Sequence, residues 1–260
     1  MREVVGPPDA PVVLLLHGLI ASGGLNWFQA FEPLGRHFRV LAIDHRGHGR
    51  GLRSWKRFRL ADCADDAAAL LDELGIDEAI LVGYSMGGPI AQLVWHRHPT
   101  KVAGLVFCAT SDRFVAGVRE RLAFVTAVSA IAGSTRVGQL LTRIPLRPLQ
   151  RRIPKTVKAR PDSLRRWASA EMRRHDTRMV TEALAATTNF DSRDWLHRVQ
   201  VPTALMITTQ DRAVPPQEQL RLLLAIPEAT VAQYDEGHTW CAKPSFGPAV
   251  LDACRTVAGG

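Results

Sequence analysis

The sequence predicts an α/β fold: a mostly parallel central sheet with helices on both faces and an inserted helical cap. Three observations predict it. Short unbroken apolar runs recur along the chain, as suits strands buried on both faces of a parallel sheet. Helix-like stretches separate those runs, which is the alternation of a helix-covered sheet. The alternation then stops between about Asp112 and Val199, where the text turns helical, basic and punctuated by Pro145, Pro148, Pro154 and Pro161.

Val12–Leu16 reads as the first buried strand. A helix is expected over Asn26–Gly35, and a second apolar run, Arg39–Ile43, leads into Asp44. Asp62–Leu74 reads as a helix, with Asp62 as its N-cap and Gly75 as its stop. Strands follow at Ala79–Val82 and Val102–Phe107, with a helix at Gly88–His98 between them. Val201-Pro202 restarts the pattern: a strand at Ala204–Thr208, a helix at Pro216–Ala225, a weaker strand at Thr230–Tyr234 and a last helix at Ser245–Val257. The expected organisation is a core of residues 1–112 and 199–260, with residues 113–198 forming the cap or lid.

Hydrophobic content of 46% and charged content of 22% are ordinary for a globular protein. Met1–Val4 carries no basic region followed by an apolar stretch, so no secretory signal is read there. The longest apolar run, Leu122–Ile131, is too short to span a bilayer. Cys63, Cys108, Cys241 and Cys254 form no CxxC pair or metal-ligand cluster, so they read as free thiols in a reducing, cytoplasmic setting. No strand-linked GxGxxG or GxxxxGK[ST] motif occurs, which argues against a nucleotide cofactor. No cofactor and no metal are expected.

The chemistry is concentrated at three strand ends. Gly83-Tyr84-Ser85-Met86-Gly87 joins a predicted strand to a predicted helix, the setting of a nucleophile elbow. A serine hydroxyl needs a histidine to take its proton and a carboxylate to orient that histidine. Asp211 follows the run at 204–208, and His238 follows the run at 230–234. The carboxyl ends of parallel strands share one rim, so these distant residues can converge. Asp112, after the 102–107 strand, is the alternative carboxylate.

With these residues in view, the chain resembles the α/β-hydrolase superfamily over nearly all of its length except the cap. His17-Gly18 is similar to the family's oxyanion-loop motif, and Asp44-His45-Arg46-Gly47-His48-Gly49 to its D-x-R-G-x-G segment. The order Ser, Asp, His matches the family's. The chain departs after Gly49, where Arg50-Gly51 intervene and Ser54 comes late. The resemblance implies Ser85 as nucleophile, His238 as general base and then acid, and Asp211 as orienting carboxylate. It also implies the backbone N–H groups of Leu19 and Met86 as oxyanion donors. Epoxide- and haloalkane-opening relatives use a carboxylate nucleophile, so Ser85 argues against them.

The expected activity is hydrolysis of a carboxylic ester or related acyl bond through an acyl-serine. Carbon–carbon bond, lactone and thioester hydrolysis and a cofactor-free peroxidase-like activity share the triad and stay open. So does a non-catalytic ligand-binding role on the same scaffold. Trp27, Phe28 and Trp240 are candidates for lining the substrate pocket. His17 reads as a brace of the oxyanion loop, Asp44 and Arg46 as fixing their own turn, and Asp235 and Glu236 as solvated. His45, His48, His96 and His98 have no identifiable metal-ligand partners.

The formal net charge is +8, and its distribution is uneven. Residues 113–198 hold 18 basic and 7 acidic residues, against 15 and 18 in the remainder. The expected partner is a small acyl substrate. The basic cap, with the apolar residues Leu122, Phe124, Val125, Val128 and Ile131, reads as a solvated face, as a surface that attracts anionic lipid or an acidic substrate, or as a docking site for an acidic protein partner. Nucleic acid is not expected, because the Arg-rich run lacks aromatic interleaving and any recognised binding motif.

Overall fold

The computed structural model describes residues 1–114 and 164–259. Seven strands form one sheet: β1 Arg2–Val4, β2 Val12–Leu16, β3 Arg39–Ile43, β4 Ala79–Tyr84, β5 Val102–Cys108, β6 Thr203–Thr208 and β7 Thr230–Tyr234. Their order is β1-β3-β2-β4-β5-β6-β7. Every pairing is parallel except β1 with β3, which is antiparallel.

Side chains alternate across a strand, and here the alternation fills two cores. Leu14, Leu16, Leu81, Leu105, Phe107, Leu205 and Ile207 face one layer. Val13, Leu15, Ile80, Val82, Val106, Ala204 and Met206 face the other. The first layer is completed by helices α3 Leu60–Glu73 and α4 Gly87–Arg97. The second is completed by α1 Gly23–Trp27, α2 Phe31–Gly35 and the last helix, Phe246–Ala258. β4 and β6 are buried along their whole length, whereas four of the five residues of edge strand β7 are exposed. That exposure explains the weaker apolar pattern at 230–234.

Several elements differ from expectation. The helix expected over 26–35 is two short helices, because Pro33 cannot donate a backbone hydrogen bond and its ring would crowd the carbonyl of Gln29. Asp62 lies in the first turn of α3 rather than at its N-cap, which is Arg59. Gly75 does stop α3: its φ is +64°, its N–H bonds to the Asp72 carbonyl at 3.0 Å, and Ile76 N–H reaches Leu71 at 2.8 Å. β1 carries no apolar run; its register is held instead by ion pairs of Glu3 with Arg39 (2.8 Å) and Arg2 with Asp44 (2.9 Å).

Between β5 and β6 the described residues form α5 Leu164–Met172, α6 Thr177–Thr188 and α7 Arg193–Leu196. Helices α8 Pro216–Ala225 and α9 Phe246–Ala258 follow. The stripe at Leu122–Ile131 and the arginines and lysines from Arg119 to Arg160 lie outside the described residues. Arg178, counted with the basic surface, is buried and bonds Glu182 at 3.0 Å. No helix among the described residues is long and apolar enough to cross a membrane. All four cysteines are free thiols.

Candidate active site

β4 ends at Tyr84, and Ser85 follows in the left-handed region with φ +52°. A non-glycine residue held there costs about 1–2 kcal/mol, so its surroundings must enforce it. Ser85 N–H donates to the Cys108 carbonyl at 3.0 Å, while its own carbonyl accepts from Thr110 Oγ1 at 2.7 Å and Gly88 N–H at 2.9 Å. The two elbow glycines are sterically required. A Cβ on Gly83 would meet the Gly87 carbonyl oxygen at 2.5 Å, and one on Gly87 would meet that of Leu16 at 2.0 Å.

The structure brings together the three residues that the sequence placed at separate strand ends. His238 Nε2 lies 3.0 Å from Ser85 Oγ, and its Nδ1 lies 2.8 Å from Asp211 Oδ2. Asp211 is buried. Its Oδ1 accepts from the N–H groups of Ala213 (2.8 Å) and Val214 (2.9 Å), and its Oδ2 accepts from Thr208 Oγ1 at 2.9 Å. Burial alone would raise the Asp211 pKa. The hydrogen bonds from His238, Val214 and Thr208 outweigh it and hold the carboxyl below its ordinary range.

Asp112 is engaged elsewhere. Its Oδ1 accepts from the Ser111 hydroxyl at 3.0 Å and faces the Arg221 guanidinium at 3.9 Å. Asp235 is exposed and accepts from Thr209 and Gln210; Glu236 pairs with Lys243.

Leu19 and Met86 both border the cavity at Ser85, and Met86 is the N-cap of α4, so the helix's positive end faces the serine. The loop carrying Leu19 is pinned from two sides. Gly18 N–H donates to Asn26 Oδ1 at 2.9 Å, and His17 Nδ1 donates to the Gly18 carbonyl at 2.7 Å. His17 Nε2 in turn accepts from His45 N–H at 3.0 Å, which ties this loop to the 44–49 segment. Asp44 accepts from Gly23 N–H (2.7 Å) and Arg50 N–H (2.9 Å), so it fixes a second loop besides its own. Arg46 reaches out of its turn to Asp66 on α3.

A cavity of about 350 Å³ opens beside Ser85 and His238, bordered among the described residues by Leu19, Met86, Leu184 and Val214. Trp27 and Trp240 do not border it. Trp27 is fully buried against Phe246 (5.7 Å between rings), and Trp240 packs on Tyr234 (4.3 Å). Both rings pack into the second core layer instead, beside Phe246. Phe28 is half-buried and meets Trp167 edge-on at 5.8 Å.

Sequence reasoning missed three supporting residues. Tyr84, inside the elbow motif, donates its hydroxyl to the His238 carbonyl at 2.8 Å. Thr208 buttresses Asp211, and Gln219 Oε1 accepts from Thr208 N–H at 3.0 Å. Thr208 lies three residues before Asp211, which was the available signal. Tyr84 lies 154 residues from its partner, and nothing local announces that contact. Among the described residues no group of histidines, cysteines and carboxylates is arranged to hold a metal ion.

Known proteins share this arrangement of fold. The sequence model of the family described as alpha/beta hydrolase fold matches residues 11–241. Epoxide hydrolase B of Mycobacterium tuberculosis is 38% identical over 105 residues, which is 38% of this chain and only 29% of that protein. RutD of Azorhizobium caulinodans is 26% identical over 269 residues, covering 96% of this chain and 97% of its own. The crystal structure of a bromoperoxidase from Bacillus anthracis superposes with a TM-score of 0.77 at 20% identity, covering 98% of this chain and 94% of that one. The chain spans about a third of the length of the first relatives it matches, and it belongs to the alpha/beta hydrolase fold family.

Proposed function

We propose that the protein is a serine hydrolase that cleaves a carboxylic ester or a related acyl bond through an acyl-serine intermediate. The observation that carries this reading is the continuous relay from Ser85 Oγ through both ring nitrogens of His238 to Asp211, with links of 3.0 and 2.8 Å. Ionised Asp211 keeps the His238 proton on Nδ1, so the Nε2 lone pair faces Ser85. Ser85 attacks the acyl carbon while its proton moves to Nε2. The imidazolium then returns that proton to the departing oxygen as the acyl–oxygen bond breaks. Water, deprotonated by His238, then attacks the acyl-serine; the acyl–Oγ bond breaks, the imidazolium returns its proton to Ser85 Oγ, and the acid leaves.

The N–H groups of Leu19 and Met86 take the oxyanion of both tetrahedral intermediates; losing one such donor costs about 3–4 kcal/mol. The cavity suits a small apolar acyl or alcohol portion. Phe114, Leu184, Thr187 and Thr188 border it from the span proposed as the cap, residues 113–198. An epoxide-opening role is not proposed, because Ser85 stands where that chemistry uses a carboxylate.

Fluorophosphonate labelling tests the reading. Folded wild type is expected to label at Ser85 and to hydrolyse short p-nitrophenyl esters, and Ser85→Ala to do neither. Labelling that persists unchanged in Ser85→Ala, or its absence from folded wild type, overturns the proposal; the second outcome favours a ligand-binding role.

A further inference from the structure

We propose that the loop after β3, residues 50–59, together with the C-terminal end of α5, is a docking surface for an anionic membrane. The loop reads Arg-Gly-Leu-Arg-Ser-Trp-Lys-Arg-Phe-Arg, five cations in ten residues with no acid. Arg53, Lys56, Arg57 and Arg59 are exposed. Two large apolar side chains stand out among them: Leu52 is 62% exposed and Trp55 54%. The end of α5 extends the same surface with Met172, 47% exposed, and with exposed Arg173 and Arg174.

The loop is held in place. Phe58 is buried, and its N–H donates to buried Glu182 at 2.8 Å. The buried Arg178 guanidinium donates to the Ser54 carbonyl. Arg53 donates to the carbonyls of Gly49, Gly51 and Arg174, joining loop and α5 into one surface. Arg50 and Arg174 pair with Glu171 on that helix. The exposure of Leu52 and Trp55 is therefore a feature of a braced loop.

The chemistry of this surface matches a lipid headgroup layer. Basic residues are drawn to anionic headgroups, each adding severalfold to affinity, while Trp and Leu enter the acyl boundary. A stable protein interface would instead centre on a contiguous apolar patch depleted of charge. The loop joins the carboxyl end of β3 to α3, so it lies on the same rim of the sheet as Ser85. None of this depends on the chemistry at Ser85.

Sedimentation with vesicles tests the proposal. Vesicles of phosphatidylcholine alone are compared with vesicles containing about one third phosphatidylglycerol, over a salt series from about 0.05 to 0.5 M. Wild type is expected to bind only the anionic vesicles, and to weaken at least about tenfold across the series. The variant K56Q/R57Q/R59Q is expected to bind about 100-fold more weakly. L52S/W55S is expected to bind about tenfold more weakly at an unchanged salt slope. Thermal unfolding of both variants near the wild-type midpoint verifies that these exposed changes leave the fold intact. Absence of binding to anionic vesicles, equal binding to neutral ones, or binding undiminished in the charge variant overturns the proposal. Retention on heparin without vesicle binding does so as well and assigns the surface to a soluble polyanion.

Discussion

His238 and His45 both follow the carboxyl end of a strand on the same rim, yet they are opposite chemical objects. The His238 side chain is 29% exposed and both of its ring nitrogens are partnered, one by Ser85 and one by Asp211. His45 is 2% exposed, and neither ring nitrogen has a partner among the described residues. It lies 4.3 Å from the His17 ring instead. Burial, aided by the neighbouring His48, pushes its pKa down to about 3; burial does the same to His48, with His17 adding to it. Solvent access and a carboxylate make an imidazole able to exchange a proton. Their absence makes it a neutral packing group.

The strongest way to break the contrast is to take the carboxylate from His238. Asp211→Asn keeps the shape but permits the tautomer with the proton on Nε2, which cannot act as base. A loss of about 10⁴-fold in kcat is expected, with the fold retained. Steady-state hydrolysis of a p-nitrophenyl ester checks it. A loss below about tenfold would mean that another carboxylate serves His238, and Asp112→Asn would then be the sensitive variant.

The contrast can next be sharpened at His45. Its pKa is about 6.5 unfolded and about 3 folded. Between those values the unfolded chain binds a proton that the native state refuses, so stability rises with pH. It is lost as pH falls below about 6.5, by about 1.4 kcal/mol per pH unit for each such imidazole. His45→Leu removes one of these groups and leaves no side-chain partner unpaired. Its urea stability is expected to match wild type at pH 8 and to exceed it by about 2 kcal/mol at pH 5. Parallel wild-type and variant curves between those pH values would show that His45 already carries a proton in the native state.

These two histidines also mark how far the sequence could be read. The strands were legible because each buried run between 12 and 208 feeds both core layers, and Ser85 and Asp211 were legible because each follows such a run, whereas His238 follows the weaker pattern of exposed edge strand β7. His45 carried no such mark. Its environment is made by His17, which reaches it through the packing of two loops, and by His48 three residues along its own loop. Trp27 and Trp240 lie near site loops in sequence but turn into the layer beneath, a choice of face that loop proximity does not reveal. The excess charge was read from the 113–198 span, whereas five of the 15 cations outside it sit together at residues 50–59, a cluster that a whole-chain count does not show.

The smallest expected effect lies at Tyr84, whose only sequence mark is its place before Ser85. Its hydroxyl holds the His238 carbonyl at 2.8 Å, and its ring meets Phe246 edge-on at 5.6 Å and Trp27 at 6.1 Å. Burial pushes the phenol pKa up, so the group stays a donor at any pH at which the enzyme would work. Tyr84→Phe keeps the ring contacts and frees the His238 backbone. Losing a bond worth about 1 kcal/mol should lower kcat about fivefold. KM should hardly change, because Tyr84 touches the histidine and not the cavity. The rate of fluorophosphonate labelling should fall by the same factor as kcat. A lower melting temperature with an unchanged labelling rate would reduce Tyr84 to a core residue. A matched fall in both rates would make it a positioning residue, acting on Ser85 through the backbone of His238.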